Sequence, residues 1–204
     1  MNNFKVALTI GHSKESPGAV NQGYMINEYE ICKKITDYAA NCFPKEYDLC
    51  IEDNWTLGQE KDKIDKFKAD VIVENHMNFA SDTKKTGIMT IYEKDNAESM
   101  LLAFAVHEKL ILALLRQDLG VINHETIKGW REWVSFFLFD KIKYQNRFGF
   151  DVPTILTEID YISNSDVAEM IMDKNEDFIK KAGKAIADGI IKYNEDKLNK
   201  GMIT

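Results

Sequence analysis

The chain has no basic surplus, no membrane-length apolar run and only three cysteines, and each scarcity excludes something. Lysine and arginine total 26 against 33 aspartates and glutamates, a net charge of −7 with a pI near 5.2. Phosphate-backbone binding needs clustered positive charge, so nucleic acid is not expected as a partner. The most apolar stretch, Met100 to Leu115, is interrupted by His107, Glu108 and Lys109. It also falls short of the roughly 20 residues that span a bilayer. The start, Met-Asn-Asn-Phe-Lys, lacks the apolar core of a secretion signal. Synthesis in the cytoplasm, without a signal peptide or transmembrane segment, is the expectation. Cys32, Cys42 and Cys50 form no CxxC pair and cannot all be matched in disulfides. They read as small hydrophobes in a reducing compartment. No internal repeat, low-complexity tract or linker divides the chain.

What is present suits one domain: 204 residues, 45 % of them apolar and 29 % charged. Short apolar runs at Val6–Ile10, Tyr47–Ile51, Ala69–Asn75, Thr86–Tyr92 and Thr154–Tyr161 read as strands. Helical spacing follows from about Glu28 up to Pro44, near the end of Trp55–Phe67, and over Ala97–Gln117. It returns after Ser163-Asn-Ser165 and over Glu176–Leu198. In the first helix Ile31, Ile35, Tyr38 and Ala39 share a stripe. Met100, Phe104, Ile111 and Leu115 are expected on the buried side of the third helix. Phe178, Ala182, Ile186, Ile190 and Tyr193 mark the last. Strands alternating with helices predict an α/β domain: a mostly parallel, twisted sheet of about six strands with helices on both faces. From about 120 to 152 the pattern breaks. There Trp130-Arg-Glu-Trp133 leads into Val134-Ser-Phe-Phe-Leu-Phe139, read as a strand or hairpin packed on the core rather than an aromatic wall beside the cleft.

Four segments place a metal-seeking or acid–base residue where an apolar run ends: Lys5 to His12, Asn27-Glu28, Val71 to Asn78, and Pro153 to Glu158. Strand carboxyl ends line the crevice of an open α/β sheet. Two histidines and a glutamate suffice for an open zinc site, and a further glutamate can move protons. Taken singly, His12, Glu28 and His76 have ordinary structural explanations, Glu28 as a carboxylate at a helix start. Glu158 lies in Ile155-Leu-Thr-Glu-Ile159, where an unpaired carboxylate is expensive, so a nearby cation or a raised pKa is expected. Glu74 and Asn78 share the face of His76 and read equally as ligand-orienting partners or as ordinary strand-end hydrogen bonders. Asp160 shares the face of Glu158 as a rival acid. His107 and His124 read as packing or surface residues.

Thr9-Ile-Gly-His-Ser13 with Ser16-Pro-Gly-Ala19, Asn27-Glu-Tyr29, Glu74-Asn-His-Met-Asn-Phe-Ala-Ser81, and Pro153-Thr-Ile-Leu-Thr-Glu158 with Ile162-Ser-Asn164 and Asp166 occur in order. This set, running from about Lys5 to Tyr193, resembles the zinc-dependent N-acetylmuramoyl-L-alanine amidases of the third amidase type, especially phage and prophage endolysin catalytic domains. The resemblance implies Zn²⁺ held by His12, Glu28 and His76, with Glu158 as the catalytic glutamate. It implies hydrolysis of the amide between N-acetylmuramic acid and the L-alanine of the stem peptide, with peptidoglycan as the partner and lysis of the cell wall as the outcome. Residues 1–204 then form a single catalytic domain, acting at the wall after release, and a separate or missing wall-binding domain is a further expectation. Two departures stand out: the region from about Gly120 to Asp151 is longer and more aromatic, and Ile159-Asp160-Tyr161 replaces a small or apolar run. A zinc peptidase acting on another peptide, and a non-catalytic wall-binding module, are the competing readings.

Overall fold

The computed structural model describes residues 3–53, 57–127 and 151–201. The aromatic stretch Val134–Phe139, expected as a strand or hairpin, lies outside the described residues. The chain begins with strand β1 (Phe4–Ile10), then two short strands, β2 (Val20–Asn21) and β3 (Ile26–Asn27), and helix α1 (Glu28–Asn41). Strand β4 (Tyr47–Glu52), helix α2 (Leu57–Phe67), strands β5 (Val71–Asn78) and β6 (Ile88–Tyr92), helix α3 (Ala97–Leu114) and strand β7 (Asp118–Asn123) follow. Strand β8 (Thr154–Tyr161) and helices α4 (Ser165–Ile171) and α5 (Asp177–Asn199) complete it.

Among the described residues, six strands form one sheet in the order β4-β1-β5-β8-β6-β7. The first four are mutually parallel, β6 runs antiparallel to β8, and β7 is parallel to β6. The mostly parallel expectation therefore holds, with one reversal at β8–β6. A parallel sheet must be covered on both faces, which is why its strands read as unbroken apolar runs rather than alternating ones. Val6, Leu8, Val73, Ile155 and Ile159 form one buried core with residues of α1, α3 and α5. Ala7, Ile72, Ile91 and Leu156 form a second with Ile64 and Phe67 of α2.

Beneath the carboxyl ends a fully buried polar chain ties three elements together. Asn75 on β5 donates to Thr36 Oγ1 on α1 at 2.9 Å, and Thr157 on β8 donates to Asn75 Oδ1 at 2.9 Å. Buried polar groups are tolerated when they satisfy one another. Here they also hold together the helix that carries Glu28 and the strands that carry His76 and Glu158.

The structure corrects the reading of α3. Leu102, Ala103, Val106 and Leu110 are its buried face, whereas Phe104 is 54 % and Leu115 84 % exposed. Apolar residues occur all round this helix, so spacing alone cannot choose a side. It also stops at Leu114 rather than Gln117. Leu115 turns left-handed (φ 53°) and its N–H closes onto the Ile111 carbonyl at 3.0 Å. The chain then enters β7, the outermost of the described strands on its side, with a glycine in its middle, which the sequence pattern does not reveal. The last helix buries Phe178, Ala182, Ile186, Ile190 and Tyr193 as expected. Cys32 is buried in α1, Cys42 caps that helix and Cys50 lies in β4, all as free thiols. No helix among the described residues is long and apolar enough to cross a membrane.

Candidate metal centre

His12, Glu28 and His76 meet at the carboxyl edge of the sheet, each delivered by a different local device. After β1, the N–H of Gly11 extends the ladder by one bond to the Asn75 carbonyl (2.9 Å), and the chain then leaves the sheet. His12 adopts φ 68°, a left-handed conformation that costs a non-glycine residue roughly 1 kcal/mol or more. That turn aims the imidazole back across the strand ends. Glu28 is the first residue of α1, whose N-cap, Asn27, accepts the Glu30 N–H at 2.9 Å. His76 stands on β5.

Glu28 is the hub. Its Oε2 lies 3.1 Å from His12 Nε2 and accepts the Ala19 N–H at 3.0 Å. Its Oε1 lies 2.8 Å from His76 Nδ1 and accepts the Met77 N–H at 3.1 Å. One potential ligand atom from each of the three residues lies within 4.8 Å of the others. Ligands at about 2.1 Å around a tetrahedral ion sit roughly 3.4 Å apart, so modest adjustment would admit one. Two imidazoles and a carboxylate match the borderline donor set that zinc prefers.

The backbone is packed against these side chains. A Cβ at Gly18 (φ +74°) would lie 2.4 Å from His12 Cδ2 and 2.5 Å from Glu28 Oε2. One at Gly11 would lie 2.3 Å from the His76 ring. Both glycines stand in the quoted motifs, in Thr9–Ser13 and Ser16–Ala19, but local pattern does not show that they press on the site residues. The Ala19 and Met77 N–H donors have no side-chain signal at all.

The electrostatics favour a cation here. Burial opposes ionisation of Glu28, yet hydrogen bonds with His12 and His76 outweigh it and hold the carboxyl well below its usual range. Burial likewise opposes a charged His76, but the Glu28 and Glu74 carboxylates reverse that and drive its pKa well upward. Glu74 Oε1 lies 3.2 Å from His76 Nε2.

Glu158 is the Cα register partner of His76 on the adjacent strand. It is 7 % exposed, and among the described residues its Oε2 has no hydrogen-bond partner. Burial pushes its pKa to about 8, Glu28 and Glu74 push the same way, and His76 opposes them. A carboxyl so placed exchanges a proton near neutrality.

Asp160 is not a comparable acid. It is fully buried and accepts from Arg116 Nε (2.7 Å), the Gly87 N–H (2.8 Å), the Tyr161 N–H (2.8 Å) and Thr86 Oγ1 (3.1 Å). Asn78 makes a local bond, its Oδ1 accepting the Phe79 N–H at 2.7 Å. His107 is buried between Thr90 Oγ1 (3.0 Å) and Asp118 Oδ1 (2.9 Å), and His124 Nδ1 accepts the Lys94 N–H at 3.0 Å. Both remain apart from the cluster of His12, Glu28 and His76. In the Ile162-Ser-Asn164 motif, Ser163 Oγ accepts the Ala80 N–H (3.1 Å) and Asn164 caps α4 through the Val167 N–H (3.1 Å).

A model of the N-acetylmuramoyl-L-alanine amidase family matches residues 6–192. Curated protein sequences yield no match. Among solved structures, the catalytic domain of the amidase CwlV from Bacillus (Paenibacillus) polymyxa var. colistinus is similar, with a TM-score of 0.77 at 21 % identity. That similarity covers 94 % of this chain and 98 % of that one. The CwlD amidase from Clostridioides difficile, solved with the GerS lipoprotein, gives 0.75 at 22 % identity over 95 % and 100 %. The catalytic domain of the CD27L endolysin targeting Clostridia difficile gives 0.64 at 18 % over 93 % and 98 %. At these identities the likeness concerns the fold.

Proposed function

The chain belongs to the N-acetylmuramoyl-L-alanine amidase family, hydrolases that act on peptidoglycan, and we propose that His12, Glu28 and His76 hold a zinc ion beside which Glu158 moves the proton. The bond cleaved joins N-acetylmuramic acid to the L-alanine of the stem peptide. The observation that carries this reading is the position of Glu158: a buried carboxyl with one unpartnered oxygen, adjacent in the sheet to a histidine of the donor cluster.

Amide hydrolysis needs a water stripped of a proton, a polarised carbonyl and a proton for the departing amine. Zinc held by three protein ligands supplies the Lewis acidity, polarising a carbonyl and making water more acidic. The chain's residues do the rest. The Ala19 and Met77 N–H groups fix both oxygens of Glu28, so the hub does not rotate. The left-handed turn at His12 and the close backbone at Gly11 and Gly18 confine both imidazoles. Glu158 Oε2 takes a proton from water and returns it to the leaving nitrogen. Its burial favours the protonated form, which helps it accept the proton it later passes on.

The test is digestion of purified cell walls, before and after chelation, with identification of the new amino termini. Alanine alone, abolished by chelation and restored by zinc, is the expected result. Other new termini would indicate a peptidase. Wall binding without cleavage would indicate a module without turnover.

A further inference from the structure

Glu74 is a third carboxylate at this edge, and the reaction above does not use it. It precedes His76 by two residues on β5, so both side chains stand on one face of the sheet. It is only 5 % exposed, a costly place for a carboxylate unless a cationic or proton-donating group faces it. The ring of His76 does face it. Nδ1 points to Glu28 Oε1 at 2.8 Å, and Nε2, at the other side of the ring, lies 3.2 Å from Glu74 Oε1. The Nε2 contact is within ion-pair distance but off the line of a formed hydrogen bond. A small turn of ring or carboxylate would align it.

A neutral imidazole has one donor and one acceptor nitrogen, and the partner of one decides the role of the other. In the structure the 2.8 Å contact with the Glu28 carboxylate makes Nδ1 the donor. We propose that Glu74 is a positioning residue for the metal centre: by accepting a proton on Nε2 of His76 it selects, for the metal-loaded ring, the tautomer whose Nδ1 lone pair is free for the metal. This rests on the reading of His12, Glu28 and His76 as the ligands. Glu74 is outside the cluster of three donors. It acts through the ring, keeping it in one orientation and making its free nitrogen a better donor, an effect worth about 10–100-fold in metal affinity. Without it, no acceptor draws the proton to Nε2; it rests on Nδ1 against Glu28, and the ring must turn or change tautomer before a metal binds.

The experiment measures zinc affinity by competition with a chelator for the full chain and for Glu74→Ala and Glu74→Gln, with ¹⁵N-histidine spectra of the zinc-loaded proteins. In the unsubstituted protein His76 should be neutral with its proton on Nε2. Glu74→Ala should weaken zinc binding about 10–100-fold. Glu74→Gln, whose carbonyl still accepts the proton, should weaken it less. A zinc affinity for Glu74→Ala within twofold of the parent, or a proton on Nδ1 in the loaded parent, would overturn the role of Glu74. The spectrum of the parent decides even where a variant folds poorly. Failure of the parent itself to bind zinc would instead overturn the ligand assignment, a separate outcome.

Discussion

His76 and Glu158 are direct register partners on the adjacent parallel strands β5 and β8, so ring and carboxyl stand side by side on one face of the sheet. The proposed metal donor and the proposed proton carrier are thus held by two backbone ladders rather than by a loop. The distance between them is set by strand spacing, and disturbing it means disturbing the centre of the sheet.

Replacing Glu158 with Gln removes proton transfer while keeping shape and hydrogen-bonding capacity. The expected outcome is a fall in kcat of about 10²–10⁴-fold, with unchanged zinc content. Turbidity loss of cell-wall suspensions and metal analysis of the same preparation check it. Near-normal turnover would reject the assigned role.

Gly18→Ala tests how tightly the backbone frames the site. The added methyl would press on both His12 and Glu28, at a backbone angle (φ +74°) that L side chains rarely adopt. A ligand displaced by even 1 Å can cost about 100-fold in rate, so we expect a comparable loss of kcat/KM together with weaker zinc retention on dialysis. Retention of full activity would show that the loop yields freely.

Arg116→Ala leaves the buried Asp160 carboxylate without its cation. Removing one partner of a buried pair costs about 3–5 kcal/mol, and a drop of that size in unfolding free energy by urea titration is expected. The Gly87 and Tyr161 N–H groups still bind Asp160, so the lower end of that range is the closer expectation. Combining Arg116→Ala with Asp160→Asn should cost less than the two separate losses added together, because they share one interaction.

Glu98 gives stability a pH dependence outside the site. Burial alone would raise its carboxyl. Its bonds with Tyr193 Oη (2.6 Å) and Lys197 Nζ (2.9 Å) outweigh burial and leave the pKa lowered. A carboxyl held below its unfolded value of about 4.3 stabilises the fold above that pH. The contribution is lost as pH falls through the lowered value. Glu98→Gln should flatten the acid side of the stability curve, measured by urea unfolding between pH 3 and 7 in steps. The effect should shrink in high salt, since the pair is partly exposed. An acid limb identical to the parent's would refute it.

Much of the architecture was legible because parallel strands leave a local mark. Val6–Leu8, Val71–Val73 and Ile155–Leu156 are apolar without alternation, and a run of that kind has to be covered on both sides. Asn27 before Glu28 and Asn164 before Ser165 announce helix starts through the hydrogen bonds they make. The proposed donor residues were legible for the same reason: each stands just after, at the start of or near the end of an element whose type can be read nearby. Harder to see were α3, apolar on every side, and β7, whose glycine interrupts any period.

What the amino-acid sequence determined by itself was thus the kind of elements, their order and the chemical types placed at their ends. Tertiary structure alone decided who meets whom. Asp160 found Arg116, 44 residues away, and became a strut, while Glu158, two residues before it, kept an oxygen without a partner. Periodicity reports which face a side chain takes. Its partner on that face comes from another part of the chain, through strand order and register that only the folded sheet sets.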